Sequence, residues 1–297
     1  MTDRRGEGLW AWRQAQNHNH MMALQAPAPA PANQAVELAY FGSSAFRITS
    51  PAGLTIMIDP WRNPPWGNWD WYLYDFPKTE VDVGISTHAH FDHDGLHALS
   101  ASVLLDRLIG TYEFADVRIT GFADKHVSDS SHNVYDWADK TRRLTNMETR
   151  PPNNWRSFDN CLILVEVAGL RILHWGDNRP NPPQEIWDRI GEIDLALLPI
   201  DGSEHVLSYP QVEEVAQRLG AKLIVPHHYY VWDVLTRGST LLPPDAWVNS
   251  RAGSIWTGAS SVRLDKDLVA PHRGTAFCFG EHVAFEKPDP KLAQSGA

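Results

Sequence analysis

The stretch Thr87-His88-Ala89-His90-Phe91-Asp92-His93-Asp94-Gly95 sets four potential metal ligands within six positions. His88 and His90 stand two apart, so an extended backbone turns both imidazoles to the same side. Asp92 and His93 follow where the chain must turn. Imidazole nitrogens and a carboxylate suit zinc, manganese or iron, and the absence of thiolates removes the softer alternatives. Cys161 and Cys278, the two cysteines, lie far apart in no metal-type spacing and read as buried thiols or one disulfide. No Gly-x-Ser-x-Gly elbow offers a protein nucleophile.

These residues need elements to hold them. Val81–Thr87 reads as a strand leading into the histidines. From Gly95 to Ile109, apolar residues at 96, 99, 103, 104 and 108 have helical spacing. Upstream, 37–41, 45–49 and 54–58 read as antiparallel strands separated by Gly42-Ser43 and Pro51-Ala52-Gly53. Downstream, 117–120, 162–167 and 170–174 are further strands, and 193–200 is a buried apolar one. Tyr209-Pro210 opens a helix that Gly220 closes, and a strand over 222–225 ends at Pro226-His227-His228. Residues 276–279 and 282–285 read as a closing hairpin. Strands alternating with helices imply a layered α/β protein.

The chain has 297 residues, is 43% hydrophobic and 21% charged, and carries a net charge of −10. These values describe a globular protein with a sizeable core, without the basic face of a nucleic-acid binder. No apolar stretch is long enough to cross a bilayer. Residues 1–34 read as a disordered or extended Ala/Pro-rich tail, because polar and charged residues interrupt the interval between Arg4-Arg5 and the Ala-Pro run. Residues 35–297 read as one domain. A cytoplasmic location is expected, or a periplasmic one if the tail derives from an export signal. The tail pair His18 and His20 carries no site, and His97 falls on a packed or solvent-facing surface.

The motif resembles the signature of the metallo-β-lactamase-fold hydrolases. Four further segments fit: Asp59-Pro60 at a strand end, His126 after the 117–120 strand, His174-Trp175-Gly176-Asp177, and Pro226-His227-His228-Tyr229. The resemblance covers about residues 36 to 230. It is strongest to the branch holding ascorbate-phosphate lactonase and the N-acyl-phosphatidylethanolamine phospholipase. It implies a four-layer αββα sandwich and two divalent ions, zinc first, manganese or iron otherwise. His88, His90 and His126 would bind one ion and Asp92, His93 and His228 the other, with Asp177 between them. His132 competes with His126, and His227 with His228. The resemblance suggests that Asp59 orients a ligand histidine.

The reaction so implied is attack by metal-generated hydroxide on a lactone, another ester or a phosphodiester. Asp92 would anchor the second ion and could accept a hydrogen bond from the nucleophile. His205, Tyr229 and His227 are candidates for the leaving-group acid. Between Asp59 and the motif runs a loop with Trp61, Trp66, Trp69, Trp71, Tyr72 and Tyr74. With His174, His227, Trp155 and Trp175 it forms the expected pocket wall, matching a small-molecule substrate with an apolar part, lipid-like molecules included. Iron-dependent redox chemistry on the same fold and a metallo-nuclease are the competing readings, the latter without the expected basic patch.

Overall fold

The computed structural model describes residues 34–64, 70–127, 160–202 and 205–288. The tail reading falls outside them except at Gln34, as do Trp66, Trp69, His132 and Trp155. Two mixed sheets face each other. One has the order β13-β1-β2-β3-β4-β5, built from β1 Val36–Tyr40, β2 Phe46–Thr49, β3 Thr55–Ile58, β4 Thr79–Ser86, β5 Leu99–Asp106 and β13 Ser261–Leu264. The other runs β12-β14-β11-β10-β9-β8-β7-β6. Its strands are β6 Gly110–Phe114, β7 Val117–Asp124, β8 Asn160–Val167, β9 Leu170–His174, β10 Leu195–Pro199, β11 Leu223–His227, β12 Ile255–Trp256 and β14 Thr275–Cys278.

Strand patterning follows burial. In β2, Phe46 and Ile48 point into the core while Arg47 and Thr49 are half-buried. The apolar runs of β10 and β11 are buried on both faces, as expected for parallel strands inside a covered sheet. The helix Tyr209–Arg218 packs against β10 with Val212, Val215 and Ala216 inward. Gln211 Oε1 accepts from the Ser208 N–H at 2.9 Å, closing the helix start. Among the described residues, the α-helices all follow β9 in the chain. No helix among these residues is long and apolar enough to cross a membrane.

Two expectations are corrected. Residues 95–109 do not form a helix: one 3-10 turn, Leu96–Ala98, passes into β5, which pairs parallel to β4. Leu99, Ala101, Val103 and Leu105 alternate with more exposed residues, so the stretch also carries a period of two. Ladder bonds to β4 favour that period. Gly84 on β4 leaves the room: a Cβ there would lie 2.7 Å from methyls of both Leu99 and Leu104. The closing hairpin is likewise absent. β14 instead pairs parallel with β11 and β12, and residues 282–285 are irregular.

The metal motif sits at the C-terminal end of β4, an inner strand. Gly95 locks it against the preceding loop, its N–H donating to Pro60 O at 2.6 Å. A Cβ on Gly95 would lie 2.3 Å from Trp61 O. Gly95→Ala should therefore destabilise by ~1–3 kcal/mol through overpacking against rigid backbone. Thermal unfolding measures it; an unchanged Tm would show that the two loops can part freely.

Candidate metal centre

Loops at the C-terminal ends of β4, β9 and β11, with His126 just beyond β7, bring seven side chains together. His88, His90, His126 and Asp177 form one group and Asp92, His93 and His228 a second, the ligand atoms in each within 4.8 Å of one another. Asp177 lies between them. Its Oδ1 is 3.3 Å from His93 Nε2, while Oδ2 is 3.4 Å from His126 Nε2, 3.7 Å from His228 Nε2 and 3.9 Å from His88 Nε2. Asp92 Oδ2 is 3.2 Å from His228 Nε2 and 3.7 Å from His93 Nε2. His90 Nδ1 stands 3.0 Å from His88 Nε2.

The backbone makes this convergence possible. His228 has φ of +57°, a left-handed turn that sends His227 and His228 to different environments. His228 N–H donates to Ser43 O at 2.9 Å, tying the turn to the β1–β2 connection. Asn178, next to Asp177, forms a β-bridge with His126, and Val127 N–H donates to Asp177 O at 2.9 Å. Strand exchange between distant segments thus carries His126 into the site.

Electrostatics divides the histidines. Burial holds His88 well below its ordinary pKa, and burial with the neighbouring His126 brings His90 down to about 3. Burial also opposes charge on His93, yet Asp177, Asp92 and Asp59 outweigh it and raise the pKa. His228 is raised the same way by Asp177 and Asp92. Burial alone would raise Asp92 and Asp177; the adjoining histidines hold both below the usual carboxylate range.

The donors fit divalent ions. His93 Nε2 and Asp177 Oδ1 are buried, and among the described residues neither makes a well-formed hydrogen bond, though they lie 3.3 Å apart. Neutral imidazole nitrogens and carboxylate oxygens aimed at shared points repel one another unless protons or cations intervene. A nitrogen-rich, thiolate-free set suits zinc, manganese or iron.

Behind the ligands lies a supporting layer. Asp59 is fully buried with φ of +53°. It accepts from Thr87 N–H at 2.7 Å, Thr87 Oγ1 at 2.8 Å and His93 Nδ1 at 2.7 Å. That contact directs His93 Nε2 toward the cluster. Asn160 Oδ1 accepts from Asp177 N–H at 3.3 Å, and its amide donates to Asn178 Oδ1 at 3.0 Å. Asn178 in turn donates to Asp124, which pairs with Arg179 at 2.6 Å.

Several expected pocket residues are not wall. Trp61 is fully buried, stacks on Tyr72 at 4.0 Å and donates its indole N–H to Phe41 O. Trp175 is core, its indole N–H on Asn178 O. His174 and His227 stack 4.8 Å apart beneath the ligands. His174 Nε2 lies 2.8 Å from Ser44 O, and His227 Nδ1 3.0 Å from Ser44 Oγ. Both are buried and shifted down by burial, and neither faces substrate space. Tyr229 is also corrected. Its phenol donates to Gly280 O at 2.9 Å within the core, burial raises its pKa, and it faces Tyr40 and Cys278. Trp71 is buried as well and packs edge-on to Phe91 of the metal loop at 5.9 Å. His205 is half-buried, its ring 5.8 Å from that of His228.

Sequence reasoning missed Ser43, Ser44, Asn160 and Asn178. The first two sit in what reads locally as an ordinary Gly-Ser turn, and the two asparagines carry no motif.

A twisted two-sheet sandwich with a histidine–aspartate centre at its strand ends defines the metallo-β-lactamase fold. Residues 37–228 match the β-lactamase superfamily domain, and the chain belongs to that family. A UPF0173 metal-dependent hydrolase from Rubrobacter xylanophilus is 26% identical over 214 residues, 65% of this chain and 81% of the relative. One from Thermodesulfovibrio yellowstonii is 36% identical over 94 residues, 31% of this chain and 34% of the relative. A solved metallo-β-lactamase superfamily structure from Thermotoga maritima has a TM-score of 0.55 at 22% identity, covering 82% of this chain and 98% of its own. A diiron β-hydroxylase from Streptomyces venezuelae has a TM-score of 0.50 at 13% identity, covering 84% of this chain and 54% of its own. Both structures share the fold alone.

Two outcomes are expected of the centre. Asp59→Asn should weaken zinc binding by ~10–100-fold, since it removes the carboxylate that orients His93; isothermal titration measures it, and unchanged affinity would leave Asp59 a mere turn former. The second concerns protons. With pKa raised above the unfolded value of about 6.5, His93 and His228 stabilise the metal-free fold fully below that pH and lose this contribution as pH rises through their folded values. A divalent ion bound there would displace those protons, so zinc uptake at neutral pH should release protons into weak buffer and tighten as pH rises. Proton-neutral uptake would contradict the electrostatic assignment.

Proposed function

We propose that the protein is a metal-dependent hydrolase acting on a lactone or other ester, or on a phosphodiester, with a partly apolar substrate. The observation that carries this reading is Asp177, a buried carboxylate between two groups of nitrogen and oxygen donors. Divalent ions bound there supply Lewis acidity, which brings the pKa of water toward neutrality and draws charge from the oxygen under attack. His88, His90 and His126 would hold one ion, and Asp92, His93 and His228 the other, with Asp177 shared.

The chain's own residues have separate tasks. Asp59 keeps the His93 ring fixed. Asp92, 10% exposed and at the mouth of the second group, can accept a hydrogen bond from incoming water. His205 stands beside His228, and burial lowers its pKa. It therefore acts as a neutral hydrogen-bonding group toward substrate rather than as a carrier of positive charge. Half-buried Phe91, backed by the buried Trp71, gives the motif an apolar side that suits an acyl or aryl portion of the substrate. The likeness to UPF0173 hydrolases supports the reaction class.

Elemental analysis of protein purified without added metal tests the reading directly, with zinc expected at up to two ions per chain; an iron-rich, visibly coloured protein would favour redox chemistry. His90→Ala and Asp92→Ala should each abolish turnover of whichever probe among lactones, aryl esters and bis-aryl phosphodiesters proves active, and should lower bound metal. A fully active, metal-free variant would end the proposal.

A further inference from the structure

His126 and Asp177 stand on segments remote in sequence that meet at a single bridge. Arg179 N–H donates to Lys125 O at 3.1 Å and Val127 N–H to Asp177 O at 2.9 Å, on either side of the paired residues His126 and Asn178. A ladder so short is too weak to fix two ligands by itself. Asp124 reinforces it. This residue ends β7, is 2% exposed and lies opposite Asn160 in the β7–β8 register. Its Oδ2 accepts from Asn178 Nδ2 at 2.8 Å. Arg179 lies along both oxygens, with Nη2 donating to Oδ1 at 2.6 Å and Nε to Oδ1 and Oδ2 at 3.1 Å each.

The residue types suit a clamp. A buried carboxylate needs opposite charge and several donors, and a guanidinium supplies both in fixed geometry. Asp124 comes two residues before His126 and Arg179 two after Asp177, so their pair joins the ligand segments just outside the ligands. Asn178 fills the space between: Nδ2 also donates to Arg179 O at 3.0 Å, and Oδ1 accepts from Asn160 Nδ2 at 3.0 Å. Asp124 belongs to neither donor group, so its charge serves the frame and not an ion. The Asp177 segment has further anchors, since Trp175 N–H donates to Leu197 O at 3.1 Å and Gly176 N–H to His174 Nδ1 at 3.1 Å. His126 lies past the last β7–β8 pair, so it is the ligand that the clamp chiefly restrains.

We propose that Asp124, held by Arg179, is a positioning residue for the first metal group: it ties the end of β7 to the segment after Asp177 and keeps His126 beside Asp177. This rests on the reading that the seven side chains bind metal. Fixing His126 beforehand lowers the freedom that ion binding must remove.

Asp124→Asn keeps the size of the side chain and one acceptor oxygen but loses the charge, while Arg179→Lys keeps the charge and loses the fork. Metal-free wild type and variants are titrated with Zn²⁺ by calorimetry and with Co²⁺ by absorption spectroscopy. The step belonging to the first group is the one that His90→Ala removes. The expected result is that this step weakens about 10-fold in Asp124→Asn with an altered Co²⁺ spectrum, and by less in Arg179→Lys, the step of the Asp92 group being unchanged. Asp194→Asn, which disturbs a comparable buried carboxylate paired with Lys222 and Lys266 before β10, is the reference and should lose stability with both steps intact. Wild-type affinity for the first ion in Asp124→Asn overturns the proposal and leaves the hydrolase reading standing. Equal weakening of both steps also overturns it, by marking a general packing role. Should Asp124→Asn fail to fold, Arg179→Lys decides by the same two criteria. A wild-type protein that takes up no ion at the His88, His90 and His126 group overturns this proposal and the hydrolase reading together.

Discussion

Three buried carboxylates, Asp59, Asp92 and Asp177, set the terms for everything around them. Carboxylates removed from water need positive partners at close range, or their burial is prohibitive. In the metal-free chain the partners are His93 and His228, raised in pKa by this same negative charge. The remaining ligand histidines with resolved shifts, His88 and His90, are pushed down by burial and offer lone pairs instead. The centre is thus a charge balance that protons satisfy partly and divalent ions satisfy more fully. Binding of metal and loss of protons are one event seen from two sides.

That balance demands rigid placement, and the fold provides it from below. The ligands stand at the ends of inner strands, while the layer beneath them is made of hydrogen bonds with no spare freedom. Asp59 links β3 to the motif through Thr87 and His93. Ser44 connects the stacked pair His174 and His227, which join β9 to β11. Asn160 and Asn178 secure the Asp177 backbone and side-chain surroundings. Residues that looked like pocket wall, Trp61 and Trp175 above all, prove to be the apolar packing that keeps these supports dry.

Much of the centre was legible in one dimension. The His-x-His-x-Asp-His string is local chemistry: its members are close in sequence, and a strand followed by a turn must bring them together. Asp177, His126 and His228 were reached through resemblance to a family pattern. The strands over 37–58 and 193–200 carried their own burial signals. The failures share one cause. The 95–109 stretch supports both a helical and a two-residue period, and only the presence of β4 alongside, with Gly84 leaving space, selects the strand. The orientation of Tyr229, Trp61, His174 and His227 is decided by what packs against each ring, which lies more than a hundred residues away in the case of His174 and Ser44.

Residue types and local spacing alone therefore determined that a nitrogen- and oxygen-donor centre exists and where its nucleus lies, because metal preference depends on donor chemistry. Only the tertiary structure decided which histidine of the pair at 227 and 228 joins the donor cluster, and that Asp177 lies between its two groups. The physical reason is that direction is set by backbone dihedrals and packing partners: a φ of +57° at His228 separates two neighbours that are identical in composition.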